Sequence, residues 1–189
     1  MAPADLKHRK LLLRRRLTNR LRAIPVSRLK TKSRKVCAKV LRCDFFQDAG
    51  KVLFFASLPL EPQTRGLMQK ALRGGKHVFL PCVNKKNGKM SIRRVFNLKK
   101  DLVCGAYGIL EPRAELAARK SAAGMDVIFV PGLGFTPEGW RLGRGGGHYD
   151  RLLASAPKAI KIGLAFKEQL VKTLPLEKHD QRLDIVLTD

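Results

Sequence analysis

The sequence predicts an α/β fold: one layered domain over residues 1–189, with a largely parallel sheet flanked by helices. Three observations predict it. Short continuous apolar runs, among them Val52–Ala56 and Asp126–Val130, read as strands buried on both faces. These runs alternate with segments of helical period, the pattern of parallel sheets covered by helices. The run ending at Val130 feeds through a glycine-rich loop into a segment that starts a helix. In such sheets ligands gather at the carboxyl ends of the strands.

The elements follow in order. Residues 6–24 are expected to be helical, because Leu13, Leu17, Leu21 and Ile24 recur at spacings of four, four and three. Pro25 ends this helix. Traced backward, the same stripe passes through Arg14 and Lys10. Two cations therefore sit on or beside the covered face. Either they meet an anionic partner, as a buried charge must, or they snorkel into water at a frayed helix end. Arg15, Arg16, Arg20 and Arg22 point elsewhere and read as a solvated face.

Residues 27–48 are expected to form a second helix, weaker in pattern. Val52–Ala56 is a short strand, and Leu58-Pro59-Leu60-Glu61-Pro62 is a loop. Residues 63–72 are helical and end at Gly74-Gly75. His77–Leu80, with Pro81, is a strand. Asn87-Gly88 is a turn signal that joins residues 81–84 to residues 90–95 as a hairpin. Residues 126–130 form a strand, residues 148–154 a helix, and residues 160–166 and 183–187 the last strands.

With 189 residues, 44% of them apolar, the chain can bury a real core. No apolar run approaches the roughly 20 residues of a membrane span. The signal-peptide pattern is absent, since Leu11–Leu13 is hemmed in by Lys and Arg. Cys37, Cys43, Cys82 and Cys104 lack CxxC spacing and read as thiols in a reducing compartment. The net charge is +24, and residues 1–43 carry +14 of it, with Asp5 as their one acid. Such a surface attracts polyanions: nucleic acid, anionic lipid, nucleotides or a polyglutamylated ligand.

The richest segment is Val130 to Leu153, VPGLGFTPEGWRLGRGGGHYDRLL. It sets Gly143, Gly145, Gly146 and Gly147 between Arg141, Arg144 and Asp150. Backbone N–H groups in such a turn converge on an anion, and arginines add charge. Asp150 offers a carboxylate to a divalent metal. The loop is not a Walker A motif, because Arg144 stands five residues after Gly139 and no Lys-Ser follows. It also lacks the Gly-x-Gly-x-x-Gly fingerprint, since His148 stands where the third glycine belongs. It is either a flexible turn or a nucleotide-phosphate site used with magnesium. Trp140 beside it stacks on a ring or caps the loop.

These residues resemble the 5-formyltetrahydrofolate cyclo-ligase family, also called methenyltetrahydrofolate synthetase. The likeness runs from Lys10 to Asp184. It is carried by Lys10–Arg14, Glu61–Thr64, Gly75–Pro81, Tyr107–Pro112, the loop Val130–Leu153, Ile162–Leu170, Leu174-Pro175 and His179-Asp180. The resemblance implies ATP-dependent ring closure of 5-formyltetrahydrofolate to 5,10-methenyltetrahydrofolate, with release of ADP and phosphate. It implies transfer of the γ-phosphoryl group to the formyl oxygen, which makes that oxygen a leaving group. Protein work in such a transfer is mainly positioning and charge neutralisation.

Carried over by position, the resemblance implies ATP contacts from Lys10, Arg14, Arg141, Leu142, Gly143, Arg144, Gly145, Gly146, Gly147, His148 and Tyr149. It implies folate contacts from Ala56, Glu61, Arg144, Gly145, Gly146, Gly147 and His148, and Mg²⁺ at Asp150 and Asp180. Lys10 and Arg144 are expected to carry the catalysis. Two positions depart from the family. His148 stands where Tyr is usual, so a hydroxyl contact there does not carry over. Gly146 stands where animal enzymes have Lys, as in many bacterial members. Because Lys10 already belongs to the site, a removable transit peptide before it does not fit, and a cytoplasmic monomer is expected. The second reading is a nucleic-acid-binding protein on a retained fold, served by the basic amino-terminal helices. Aromatic residues are sparse for that role, at 6%.

Overall fold

The computed structural model describes residues 3–84, 90–105 and 110–189. Its helices are α1 (Pro3–Arg22), α2 (Val26–Val40), α3 (Asp44–Asp48), α4 (Arg65–Arg73) and α5 (His148–Ala154), with a 3-10 helix at Lys167–Gln169. Its strands are β1 (Lys51–Leu53), β2 (His77–Val83), β3 (Met90–Val95), β4 (Leu102–Cys104), β5 (Leu110–Pro112) and β6 (Ala118–Arg119). They continue with β7 (Val127–Val130), β8 (Gly134–Phe135), β9 (Arg141–Leu142), β10 (Ile160–Leu164) and β11 (Ile185–Leu187).

Seven strands form the main sheet in the order β11-β10-β7-β1-β2-β3-β6. The first five run parallel; β3 is antiparallel to β2, and β6 pairs antiparallel with β3 and so runs in the direction of the first five. The apolar runs are continuous because both faces are covered. Val52, Phe54, Val78, Leu80, Val127 and Phe129 face α2, α3 and α4 through Val36, Val40, Phe46, Leu67 and Met68. Their alternates, Leu53, Phe79, Ile128 and Val130, face Leu152 and Leu153 of α5 together with Phe135. Phe46, Phe54 and Phe129 join across the first layer with ring centroids 5.1–6.4 Å apart.

The expected helix over residues 27–48 is broken in two. The buried stripe of α2 is Leu29, Ser33, Val36 and Val40. Continued straight, it would place Asp44 and Gln47 on the apolar face. The chain instead turns through an extended Cys43 and delivers Phe46 to the core. The strand expected over 52–56 pairs only through Leu53, although Phe54 N–H still donates to Phe79 O at 2.9 Å. The strand expected at 160–166 stops at Leu164, because Phe166 opens the 3-10 helix. The last strand is confined to Ile185–Leu187. The β2–β3 hairpin is present with Val83 opposite Met90; its expected Asn87-Gly88 turn lies outside the described residues, as does Tyr107–Ile109.

Pro81 is accommodated inside β2. Phe79 O points toward β1, so the Pro81 nitrogen faces the same side. β1 has already ended there, with Leu53 opposite Phe79, and no ladder bond is lost.

β1 lies between β2 and β7, and the chain leaves it outward on one side through β2 and on the other through β7. The crevice beyond the carboxyl ends of β1 and β7 is therefore where the strand order reverses, the usual ligand position of open α/β sheets. Asp126 fixes this central pair: its Oδ2 accepts the N–H groups of Gly50 at 2.8 Å and Lys51 at 2.7 Å. Asp126→Ala is expected to lower stability by about 1–2 kcal/mol, the value of charge-assisted bonds open to water. Urea unfolding that showed no change would rule out this brace. Among the described residues, no helix is long and apolar enough to cross a membrane.

Candidate functional site

A cavity of about 230 Å³ occupies that crevice. Pro131 and Gly132, just past β7, form its floor, and Glu61 reaches it from the loop after β1. The glycine loop and the start of α5 form one wall, and Lys10 and Arg14 of α1 form another. Every site residue expected from the sequence lines it except Ala56, which is half-buried and off the wall. Trp140 does not reach it either. Met90, Glu177 and His179 were not anticipated as wall residues.

Glycine is required in the loop for conformation. Gly145 has φ +109°, and Gly147, which precedes α5, has φ +60°. Arg14 crosses beneath the loop and donates from Nε to Gly143 O at 2.9 Å. Its guanidinium carbon lies 3.6 Å from where a Gly145 Cβ would stand. Gly146 has no room for a side chain while His148 keeps its place: an added Cβ would stand 2.6 Å from the ring's Cδ2.

His148 Nδ1 lies 3.2 Å from Arg151 Nη2, which has no lone pair to offer, so Nδ1 accepts and Nε2 carries the proton. Burial, with the Arg151 charge adding to it, holds the ring below the ordinary histidine pKa and thus neutral at pH 7.

Arg141 is the most unusual group. It is 7% exposed, and Nη2 donates to Asp150 Oδ1 at 2.9 Å. Nε and Nη1 are buried with no acceptor among the described residues. The guanidinium sits 5.7 Å from the ring centre of Tyr149. Dense packing around that tyrosine, with the Glu61 charge adding, pushes its hydroxyl far above the ordinary range, so it remains a neutral donor. Arg144 differs: its side chain is half-exposed, and Nη2 reaches Glu61 Oε1 at 3.0 Å. The Glu61 carboxylate, 5% exposed, is held in turn by Leu58 N–H at 3.0 Å.

Lys10 is 7% exposed, so it does not snorkel. Its Nζ lies 2.7 Å from Glu177 and 2.9 Å from Asp180. The Lys10 hydrogen bond is the main reason that the Glu177 carboxyl titrates below its ordinary value. Asp150 and Asp180, the two expected metal carboxylates, thus each hold a cation through one oxygen. Their other oxygens accept no hydrogen bond among the described residues. Glu177, His179 and Asp180 bring one ligand atom each within 4.8 Å of one another.

Chemically, the cavity combines four cations and a glycine turn, and behind its wall Arg141 keeps two buried donor nitrogens with no acceptor among the described residues. An unsatisfied buried donor costs about 1–3 kcal/mol. An anion with several oxygens has the acceptors that such a guanidinium lacks.

The comparisons with known proteins agree in direction. The model of the 5-formyltetrahydrofolate cyclo-ligase family matches residues 6–189. The mouse 5-formyltetrahydrofolate cyclo-ligase is 31% identical over 99% of this chain and 97% of its own. The enzyme of the same name from Escherichia coli K12 is 32% identical over 74% of this chain and 78% of its own. The NMR structure of Aquifex aeolicus 5,10-methenyltetrahydrofolate synthetase superposes with a TM-score of 0.81 at 31% identity, covering 94% of this chain and 88% of that one.

Proposed function

The chain belongs to the 5-formyltetrahydrofolate cyclo-ligase family, and from that premise we propose how its site works. It is a ligase of folate one-carbon metabolism that converts 5-formyltetrahydrofolate to 5,10-methenyltetrahydrofolate with ATP as co-substrate. One domain, residues 1–189, carries the activity; the continuous seven-stranded sheet supports this.

An amide-like formyl oxygen is a poor leaving group, and phosphorylation changes that. Arg141 receives phosphate oxygens on Nε and Nη1, and the loop 143–147 offers backbone donors beside it. Arg14 holds the loop from below. Lys10 and Arg144 neutralise charge developing on the transferred group, which is the main protein contribution to phosphoryl transfer. Glu61 accepts from the pterin's N–H donors once Arg144 turns to phosphate, and Tyr149 and His148 remain neutral donors. The second folate nitrogen then attacks the former formyl carbon, and the C–O bond breaks as phosphate leaves carrying the former formyl oxygen. The observation that carries the reading is the buried Arg141 with two donors unused.

Mg²⁺ would be held by Asp150 and Asp180, whose free carboxylate oxygens suit a hard cation. Bound there, it would neutralise phosphate charge. Asp150→Asn keeps an acceptor for Arg141 but loses the negative charge. It is expected to reduce turnover at least roughly tenfold and to raise the magnesium requirement. Wild-type behaviour at limiting magnesium would remove Asp150 as a metal contact. We also propose a cytoplasmic monomer; gel filtration tests the second part.

The decisive experiment mixes the purified chain with ATP, magnesium and 5-formyltetrahydrofolate and follows methenyl absorbance. No product at neutral or mildly acidic pH would end the enzyme reading. Nucleic-acid binding as the main role would leave the cavity's buried cations and carboxylates without a purpose.

A further inference from the structure

A second concavity, about 680 Å³, runs along the other edge of α1, against residues 170–175. Its apolar lining is Leu12, Leu13, Leu170, Val171, Leu174 and Pro175, over a fully buried Leu17. Arg9, Arg16 and Arg20 line the α1 side, and Lys172 stands on the opposite wall. Among the described residues, no acidic side chain lines it. At 100° per residue the three arginines fall on one flank of α1, while Arg14 and the nucleotide cavity lie on the other. The opposite wall is fixed in place: Leu170 bridges to Phe135, and Val171 N–H donates to Phe135 O at 2.9 Å. The groove is therefore preformed and separate from the site described above.

We propose that this groove docks an acidic amphipathic helix of a partner protein. The floor calls for a stripe of apolar side chains, and Arg16 and Lys172 on its two walls call for carboxylates flanking that stripe. Arg9 to Arg20 spans about 16 Å at ~1.5 Å per residue, three turns of a docked helix. A nucleic-acid strand would satisfy the cations but leave the leucine floor unused. A lipid surface would need apolar side chains standing proud of the protein. Here only Leu12, 50% exposed, does so, while Leu13, Leu170 and Leu174 are half-buried between the walls.

The probe is a fluorescein-labelled 18-residue synthetic peptide with Leu at every third and fourth position and Glu on both flanks. Anisotropy with the full chain should show saturable one-to-one binding that weakens from about 50 to about 200 mM salt. Arg16→Glu with Lys172→Glu should reduce affinity at least roughly tenfold, with cyclo-ligase activity and melting temperature unchanged. Thr173→Glu, at the exposed groove mouth, serves as a second variant if that pair fails to fold, and should lose binding too. Arg15→Glu with Arg22→Glu makes the same charge change on another face of α1 and should bind as wild type. A peptide with Leu replaced by Ser should not bind. Equal binding of the Ser peptide, or equal losses in both double variants, would overturn the proposal in favour of a diffuse field. Tighter binding of single-stranded RNA or phosphatidylserine vesicles, dependent on Arg16 and Lys172, would overturn it in favour of those polyanions.

Discussion

Arg141→Met is expected to abolish nearly all cyclo-ligase turnover while leaving the protein as stable as before. The two halves of this result have separate origins. In the folded chain Arg141 is 7% exposed and keeps Nε and Nη1 without acceptors among the described residues. Burying those donors is a cost to folding, and methionine of similar length removes it. Asp150 loses its guanidinium partner but still accepts from Gln181 N–H at 3.3 Å and is partly open to water. These effects oppose each other, so a melting temperature equal to or above wild type is expected. Activity behaves differently. Loss of a preorganised donor to transition-state charge costs about 10²–10³ in turnover. ATP with magnesium should also raise the melting temperature of wild type and not of the variant, by linkage. If Arg141 were a structural cation, the order would reverse: stability would fall by about 3–5 kcal/mol, as for a broken buried pair, and the remaining folded enzyme would keep its rate.

The contrast between Arg141 and Arg144 marks the limit of sequence reading at this site. In the chain both are arginines flanking glycines. Their difference is tertiary: Arg141 belongs to β9 and is covered, while Arg144 is half-exposed and paired with Glu61, 83 residues away. β9 is two residues long, too short for any periodic signal, as are β6 and β8. The parallel core strands were legible because burial on both faces leaves unbroken apolar runs. The split of the second helix was legible in principle, since its stripe would have buried Asp44; the pattern beyond Val40 simply carries too few apolar residues to place the break. Asp150 and Asp180 were legible as carboxylates near a phosphate loop. Their service as counterions was not: Lys10 and Asp180 meet across 170 residues, and Arg141 meets Asp150 only because the irregular loop between them folds back over nine.

Lys10 shows both sides. Its place on the apolar stripe of α1 announced an anionic partner, and the fold supplies two, Glu177 and Asp180. We expect ATP to compete with them. Lys10→Ala should raise the apparent KM for ATP by roughly ten- to over a hundredfold, the equivalent of about 1.5–3 kcal/mol for one charge-assisted bond. Arg14→Ala, one helical turn away, should raise it similarly, and ATP should stabilise both variants less than wild type. Arg15→Ala and Arg16→Ala remove the same charge from exposed positions and should leave KM within about twofold, as a screened surface charge does. Equal changes at all four would mean that only a diffuse field acts. The acid limb gives an independent reading. Glu177 titrates below its ordinary value chiefly through the Lys10 hydrogen bond. A depressed carboxyl contributes stability that is present at neutral pH and is lost as pH falls through its folded pKa. Lys10→Ala should therefore flatten the fall in stability on the acid side and return the Glu177 titration upward, visible by carbon NMR of the carboxyl. An unchanged Glu177 titration would show that the pair does not persist in solution, and the competition argued here would fail with it.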